Sequence, residues 1–211
     1  RELRSKAGTA AHMGSTASHR GDIADSAVIA ASARVWDHAQ IRERAIVSDE
    51  CIIGRGAYIG IGVRLGRACK IQNHALVYEP AHLGDGVFVG PAAVLTNDRL
   101  PRAVNPDLSL KSASDWDAVG VTVHDGASIG ARSVCVAPIT IGAWAMIGAG
   151  SVVTRDVPAH ALVVGVPAKQ VGWVSKTGER LVQGASPSEW RCPSIGTLYA
   201  EVNGALLEVA K

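Results

Sequence analysis

The chain keeps a six-residue beat. Stepping by six from Ile23 meets Ile29, Val35, Ile41, Val47, Ile53, Ile59, Leu65, Ile71, Val77, Leu83, Val89 and Leu95, all branched aliphatics. Four residues after each stand Ala27, Ala33, Ala39, Ala45, Cys51, Ala57, Val63, Cys69, Ala75, Ala81, Val87, Ala93 and Arg99, small in every case but the last. An α-helix repeats near 3.6 residues and an alternating strand at 2, so neither carries this period. The pattern describes a coil of short strands and bends, with the aliphatic inside and the small residue at the corner. Three hexads close one turn of a triangular prism, so residues 18 apart stack. About nineteen hexads make roughly six turns and a parallel β-helix about 30 Å long, at about 4.8 Å per coil.

The beat resumes in a shifted phase at Val123, Ile129, Cys135, Ile141, Ile147 and Val153. The step from Leu95 to Val123 is not a multiple of six. Residues 98–116 are therefore predicted to be a loop extruded from the coil. A long loop in a compact repeat is usually functional. After Gly172 the beat stops. Residues 21–175 are read as the coil and 176–211 as a C-terminal extension. The extension holds a polar linker, Gln183 to Glu189, and a hairpin candidate, Thr197–Val202 with Ala205–Val209. Asn203-Gly204 would form its type I′ turn.

Composition fits a narrow coil. Hydrophobic residues are 47% of the chain but aromatic ones only 4%, with 23 Gly for bends. Such apolar content excludes a disordered chain. The net charge of +2 lies entirely in Arg1, Arg4 and Lys6 against Glu2; from Met13 onward the sum is zero. No basic stripe exists to meet a phosphate backbone, so no nucleic-acid partner is expected. Residues 1–20 read as a leader, in part vector-derived, with a native start at Met13 and no secretory apolar region. Val134 to Val153 carries no charge and is long enough to span a membrane. It contains Pro138, Gly142, Gly148 and Gly150 and keeps the six-residue beat, so no membrane partner is expected.

Cys51 and Cys69 are 18 apart at the corner position and should stack. A disulfide between them is geometrically conceivable; the favoured reading is that Cys replaces Ala as a small apolar residue. Cys192-Pro193 resembles half of a zinc knuckle, without a second Cys pair.

Several stretches resemble the hexapeptide-repeat acyltransferases: Lys70-Ile71-Gln72-Asn73, Gly90-Pro91, Thr96-Asn97 with Pro101-Arg102-Ala103, Gly126–Gly130, Ile147–Val153, Asp156-Val157-Pro158 and Gly165–Trp173. Within that family the chain is similar to N-acetyltransferases of nucleotide-linked amino sugars, the type that acetylates a UDP-2-acetamido-3-amino-2,3-dideoxyglucuronate. The resemblance covers about residues 21–182. It implies an all-β, left-handed parallel β-helix, a homotrimer with sites between chains, a cytoplasmic location, and acetyl-CoA as cosubstrate. By the same resemblance Asn97 accepts a hydrogen bond from the sugar amine and aims its lone pair at the thioester. Asn73, Gln72 and Arg102 would bind substrate; Gly148, Ala149 and Lys169 would hold CoA.

Asn97 and His74 also have ordinary alternatives. Asn97 suits a turn that opens the loop. His74 would be a general base if the acceptor were a hydroxyl, or else a surface or interface residue. A zinc-bearing branch of the family makes metal worth testing. His38 and His74 lie two turns apart, about 10 Å, too far to share a zinc with bonds of about 2.1 Å, so no metal is expected. Three features depart from the subgroup: Val121 in place of Thr, His124 in place of a basic residue, and the loop after Arg102. A different amino sugar, such as a dTDP-linked one, or another acyl group remains open. So do an O-acetyltransferase and a non-catalytic β-helix.

Overall fold

The computed structural model describes residues 21–209; the leader expected at 1–20 lies outside the described residues, as do 210–211. The described chain is all β, with no helix. Most hexads contribute a two-residue strand whose first side chain faces out and whose second faces in, as in Ile52–Ile53 and Leu76–Val77. The inward residues Ile41, Ile53, Ile59, Ile71, Val77, Leu83, Val89 and Leu95 are fully buried. Burying each such side chain contributes about 1.5–3 kcal/mol.

The strands stack into three walls. The first holds seven parallel strands, from Asp22–Ile23 to Val152–Val153. The second holds six, from Val28–Ile29 to Ile139–Ile141. The third runs from Arg34–Val35 to Ala161–Gly165, and Ala168–Trp173 closes it antiparallel. Partners lie three hexads apart, Ile59 with Val77 and Val77 with Leu95. For pairs that span the loop the separation becomes 40, as for Leu95 with Cys135 and Val89 with Ile129, and past it the separation is 18 again. Twenty-two residues have therefore left the coil. Val119 N–H donates to Asn97 O (3.0 Å), closing the neck, so the excluded segment is 98–119. It runs three residues past the expected end at Trp116, because Asp117–Val119 have not yet rejoined the coil.

Corners are tight turns. Ala57 N–H donates to Gly54 O, and Ala75 N–H to Gln72 O, both at 3.2 Å. The third turn residue has positive φ, 64° at Gly56 and 59° at His74, as a type II turn requires. At the turn's start the coils nearly touch. A Cβ on Gly54 would lie 2.5 Å from Asn73 N.

The C-terminal extension forms a four-stranded antiparallel sheet: Val182–Gln183, Glu189–Arg191, Leu198–Val202 and Ala205–Glu208. Asn203 and Gly204 have φ of 53° and 74°, the two positive values of a type I′ turn. The sheet leans on the coil through Tyr199, whose ring lies 5.3 Å from His160. Trp173 and Trp190 both donate to Glu201 Oε2, at 3.0 and 3.1 Å. Val134 to Val153 forms strands of the coil.

Candidate active site

Asn97 sits where the first wall turns toward the second. Thr96 N–H donates to Cys135 O (3.0 Å), and Ala137 N–H donates to Thr96 Oγ1 (3.0 Å). With the Val119 bond to its own carbonyl, the backbone of Asn97 is pinned on both sides. Its half-buried side-chain amide makes no hydrogen bond among the described residues. A fixed backbone carrying an uncommitted amide can orient an amine.

One coil below Asn97, on the same corner, lies Glu79. Its Oε2 is buried without a hydrogen-bond partner. Gly60 makes room for it, since a Cβ there would collide with that oxygen. Tyr58 and Tyr78 pack beside it with ring centroids 5.0 Å apart. Burial, and then the Glu79 charge, push the Tyr58 hydroxyl above the ordinary tyrosine range. Glu79 is not among the candidate residues named from the sequence. The signal was present, because Glu79 stands three hexads before Asn97 and so must stack beneath it.

Gln72, Asn73 and His74 occupy a different corner, between the third wall and the first. Asn73 Oδ1 accepts from Arg55 N–H at 2.9 Å. That oxygen therefore serves the coil, and the amide NH2 is left to meet a ligand. His74 N–H donates to Arg55 O at 2.9 Å. Its exposed imidazole lies over Gly56, where a Cβ would be 2.5 Å from His74 Nδ1. A whole first-wall edge separates His74 from the corner of Asn97, about 16 Å for five extended residues. One chain does not bring His74 and Asn97 together.

Gly148 and Ala149 stand higher on the corner of Gln72–His74. Gly148 passes close to Val164, with a virtual Cβ 2.7 Å from Val164 Cγ1. Val164 pairs across the closing hairpin with Lys169, so Gly148 and Lys169 belong to one end of the coil. Lys169 lines a cleft with Thr154, Arg155 and Asp156. Asp156 Oδ1 accepts from Thr140 N–H at 2.7 Å, while Arg155 joins Lys169 as a second cation the sequence reading did not single out. Arg102 is exposed on the loop and donates to Pro101 O at 2.9 Å.

All four cysteines are free and buried. Cys51 and Cys69 donate to Gly66 O and Gly84 O, each at 3.1 Å. The neighbouring Cys51 sulfur, then burial, push the Cys69 thiol up. Burial alone pushes Cys135 up to about 12. Among the described residues, no group of three or more His, Cys, Asp or Glu is placed to hold a metal.

A family description, the hexapeptide repeat of succinyl-transferase, matches residues 44–79 and 120–155. Those two stretches carry the hexapeptide repeat. The two matched stretches flank the extruded loop. A dTDP-3-amino-3,6-dideoxy-alpha-D-galactopyranose 3-N-acetyltransferase from Aneurinibacillus thermoaerophilus is 56% identical over 59 residues, 28% of this chain and 31% of that protein. Serine acetyltransferase 4 from Arabidopsis thaliana is 39% identical over 93 residues, 44% of this chain and 26% of that protein. The chain thus spans about a third or less of these two curated relatives' lengths. A hexapeptide transferase family protein from Anaplasma phagocytophilum has the same fold, with a TM-score of 0.51 at 18% identity over 75% of this chain and 81% of that one. No helix among the described residues is long and apolar enough to cross a membrane.

Proposed function

We propose that this hexapeptide-repeat protein is an acetyl-CoA-dependent N-acetyltransferase acting on the amino group of a nucleotide-linked amino sugar. The observation that carries the reading is the pinned backbone and uncommitted amide of Asn97 at the root of the loop. The 56% identity to a dTDP-amino-sugar N-acetyltransferase supports the substrate class. The sugar amine attacks the thioester carbonyl; the C–N bond forms, the C–S bond breaks, and the surplus proton leaves with the CoA sulfur. Asn97 Oδ1 accepts from the amine and aims its lone pair, so no strong base is required. Lys169 and Arg155 suit the phosphates of CoA, with backbone contacts from Gly148 and Ala149. Gln72, the Asn73 amide NH2 and Arg102 are the substrate contacts.

The assembly proposed is a homotrimer with sites between chains. The outward side chains Tyr58, Leu76, Val94, Val134 and Val152 give the first wall an apolar outer face. The corners of His74 and Asn97 flank that wall, so packing against a second chain can unite what one chain holds apart. Buried free thiols suit a reducing compartment, in keeping with a cytoplasmic enzyme.

A second reading keeps His74 as general base toward a hydroxyl acceptor, favoured by the exposed ring and by the likeness to a serine acetyltransferase. A panel of UDP- and dTDP-amino sugars with acetyl-CoA and a thiol reagent tests the proposal. CoA release with at least one amino sugar, reduced by about 100-fold or more in kcat by Asn97→Ala, is expected. Near-full kcat in Asn97→Ala overturns the mechanism. Release only with hydroxyl acceptors, lost in His74→Ala, establishes the second reading.

A further inference from the structure

The excluded loop is itself a folded unit. Val104 and Leu110 form an antiparallel bridge, Lys111 N–H donates to Ala103 O (3.1 Å), and Asn105 N–H donates to Ser109 O (2.8 Å). Arg99, Arg102 and Lys111 line one hollow on this unit, and no carboxylate lines it. Two nearby acids are held by serines of the unit. Asp107 Oδ1 accepts from Ser109 N–H and Oγ–H, at 3.0 and 2.6 Å. Asp115 Oδ2 accepts from Ser112 N–H and Oγ–H, both at 2.7 Å. None of the three cations makes an ion pair among the described residues. Apart from Asn105 the rest of the lining is apolar, and Leu100 and Leu108 are 77% and 80% exposed. Beside the cations these apolar side chains offer a surface on which a ligand's flat apolar part can pack.

Arg99 and Lys111 also border a second hollow, nearer the neck, with Asp98, Asp115, Asp117 and the half-buried Trp116. Val119 lines it too and donates its N–H to Asn97 O. The unit is thus polar along its length, cationic and apolar toward the tip and acidic beside Asn97.

We infer that the tip hollow binds the nucleoside diphosphate of the acceptor, with Arg99, Arg102 and Lys111 on the diphosphate and the base against the apolar lining. This rests on the function proposed above and names the part of the substrate the loop reads. A diphosphate matches three converging cations, whose charged hydrogen bonds are stronger than neutral ones. The apolar lining selects a nucleoside over a bare anion. With the diphosphate there, the sugar amine extends toward the acidic hollow and Asn97.

Equilibrium dialysis of the full chain with UDP, dTDP, inorganic pyrophosphate and free glucuronate, without acetyl-CoA, tests the inference. Expected are saturable binding of UDP or dTDP, weaker binding of pyrophosphate, and none of glucuronate. Arg99→Ala and Lys111→Ala should each weaken nucleoside diphosphate binding by about tenfold or more. Arg67→Ala, a charge removed from the corner between the second and third walls, should leave it unchanged. The substituted side chains lie outside the coil, and matching melting curves check that folding is intact; Lys111→Gln, which keeps the stem, should weaken binding like Lys111→Ala. Wild-type affinity in both alanine variants, no binding of either nucleotide, or glucuronate binding as tightly as UDP each overturns the inference. The two proposals fail separately. Acetyl transfer with unchanged acceptor KM in the loop variants sinks the hollow alone. Nucleotide binding without CoA release from any amino sugar sinks the activity alone.

Discussion

Two glycines separate the two reasons why this coil needs glycine. Gly54 follows the interior residue Ile53 where adjacent coils approach closely. A Cβ there would lie 2.5 Å from Asn73 N and 2.7 Å from Asn73 Oδ1 and Gln72 C. Ordinary contact begins at 3.4 Å, so the neighbours must give by most of an ångström. Two of those atoms are backbone and cannot rotate aside. The cost is one of overpacking, about 1–3 kcal/mol. Loss of the Asn73 Oδ1 bond to Arg55 N–H adds about 1 kcal/mol. Gly54→Ala should therefore cost about 2–4 kcal/mol. Gly62 has open space around it but φ of 66°. Alanine there meets only the left-handed conformation, about 1–2 kcal/mol, partly offset by a less flexible unfolded chain. The net is about 1 kcal/mol. Asn tolerates left-handed φ, so Gly62→Asn should recover most of the loss and Gly54→Asn none. Urea unfolding followed by far-UV circular dichroism measures all four variants. Gly54→Ala costing no more than Gly62→Ala, or Asn rescuing position 54, refutes the assignment. The kinetics should differ as well, because Gly54→Ala displaces Gln72–His74 and raises acceptor KM, whereas Gly62→Ala leaves it alone.

Other consequences follow from burial. Desolvation holds the His160 imidazole below the ordinary histidine range, with the bond at Val174 O partly opposing. Below a pH of about 6.5 the unfolded chain takes up a proton that folded His160 resists. Stability should thus fall as pH drops from there, and His160→Gln should flatten that part of a melting-temperature profile. An unaltered profile would remove His160 as the cause. The four cysteines should resist an aromatic disulfide reagent in the folded protein and react together after unfolding, as their burial requires; rapid reaction of any one of them would contradict the packing.

The interior was legible because a six-residue period leaves little choice. A stack of Ile53 on Ile71 on Val89 is fixed by spacing alone, and the neighbours prove to be paired that way. The loop's near end was also legible, since Leu95 is the last interior aliphatic before it. Its far end was not, because Asp117 and Val119 neither continue nor break the beat clearly, and the neck is set by a backbone hydrogen bond. The corner residues were harder. His74, Ala92 and Trp144 adopt positive φ without being glycine, so their conformation comes from stacking and not from local preference. Asn73 shows the limit most directly. Family resemblance points to a substrate contact, whereas Asp85 and Asp125, two other corner side chains, also accept backbone N–H bonds from the coil below, as Asn73 does. A motif residue can hold the scaffold and face the ligand at once, and spacing does not apportion the two roles.

The separation of His74 from Asn97 leads to a test that depends on assembly. Along the chain one full turn of the coil and a further wall edge lie between them. A site that needs both must take them from different chains. Suppose His74→Ala and Asn97→Ala are each nearly inactive when purified alone. Unfolded together in equal amounts and refolded, they should assemble at random into the homotrimer proposed above. Each site then draws His74 from one chain and Asn97 from its neighbour, and each residue is intact with even odds. About a quarter of the sites should be whole, so about a quarter of wild-type activity should return. Mixing without unfolding serves as the comparison, since it leaves chains already assembled together. No recovery after joint refolding, with trimers shown to form, would mean that every site takes both residues from one chain, which the length of the intervening wall edge opposes. Wild-type kcat in His74→Ala alone would instead leave Asn97 as the orienting group without that partner, and the second, hydroxyl-directed reading would fall with it.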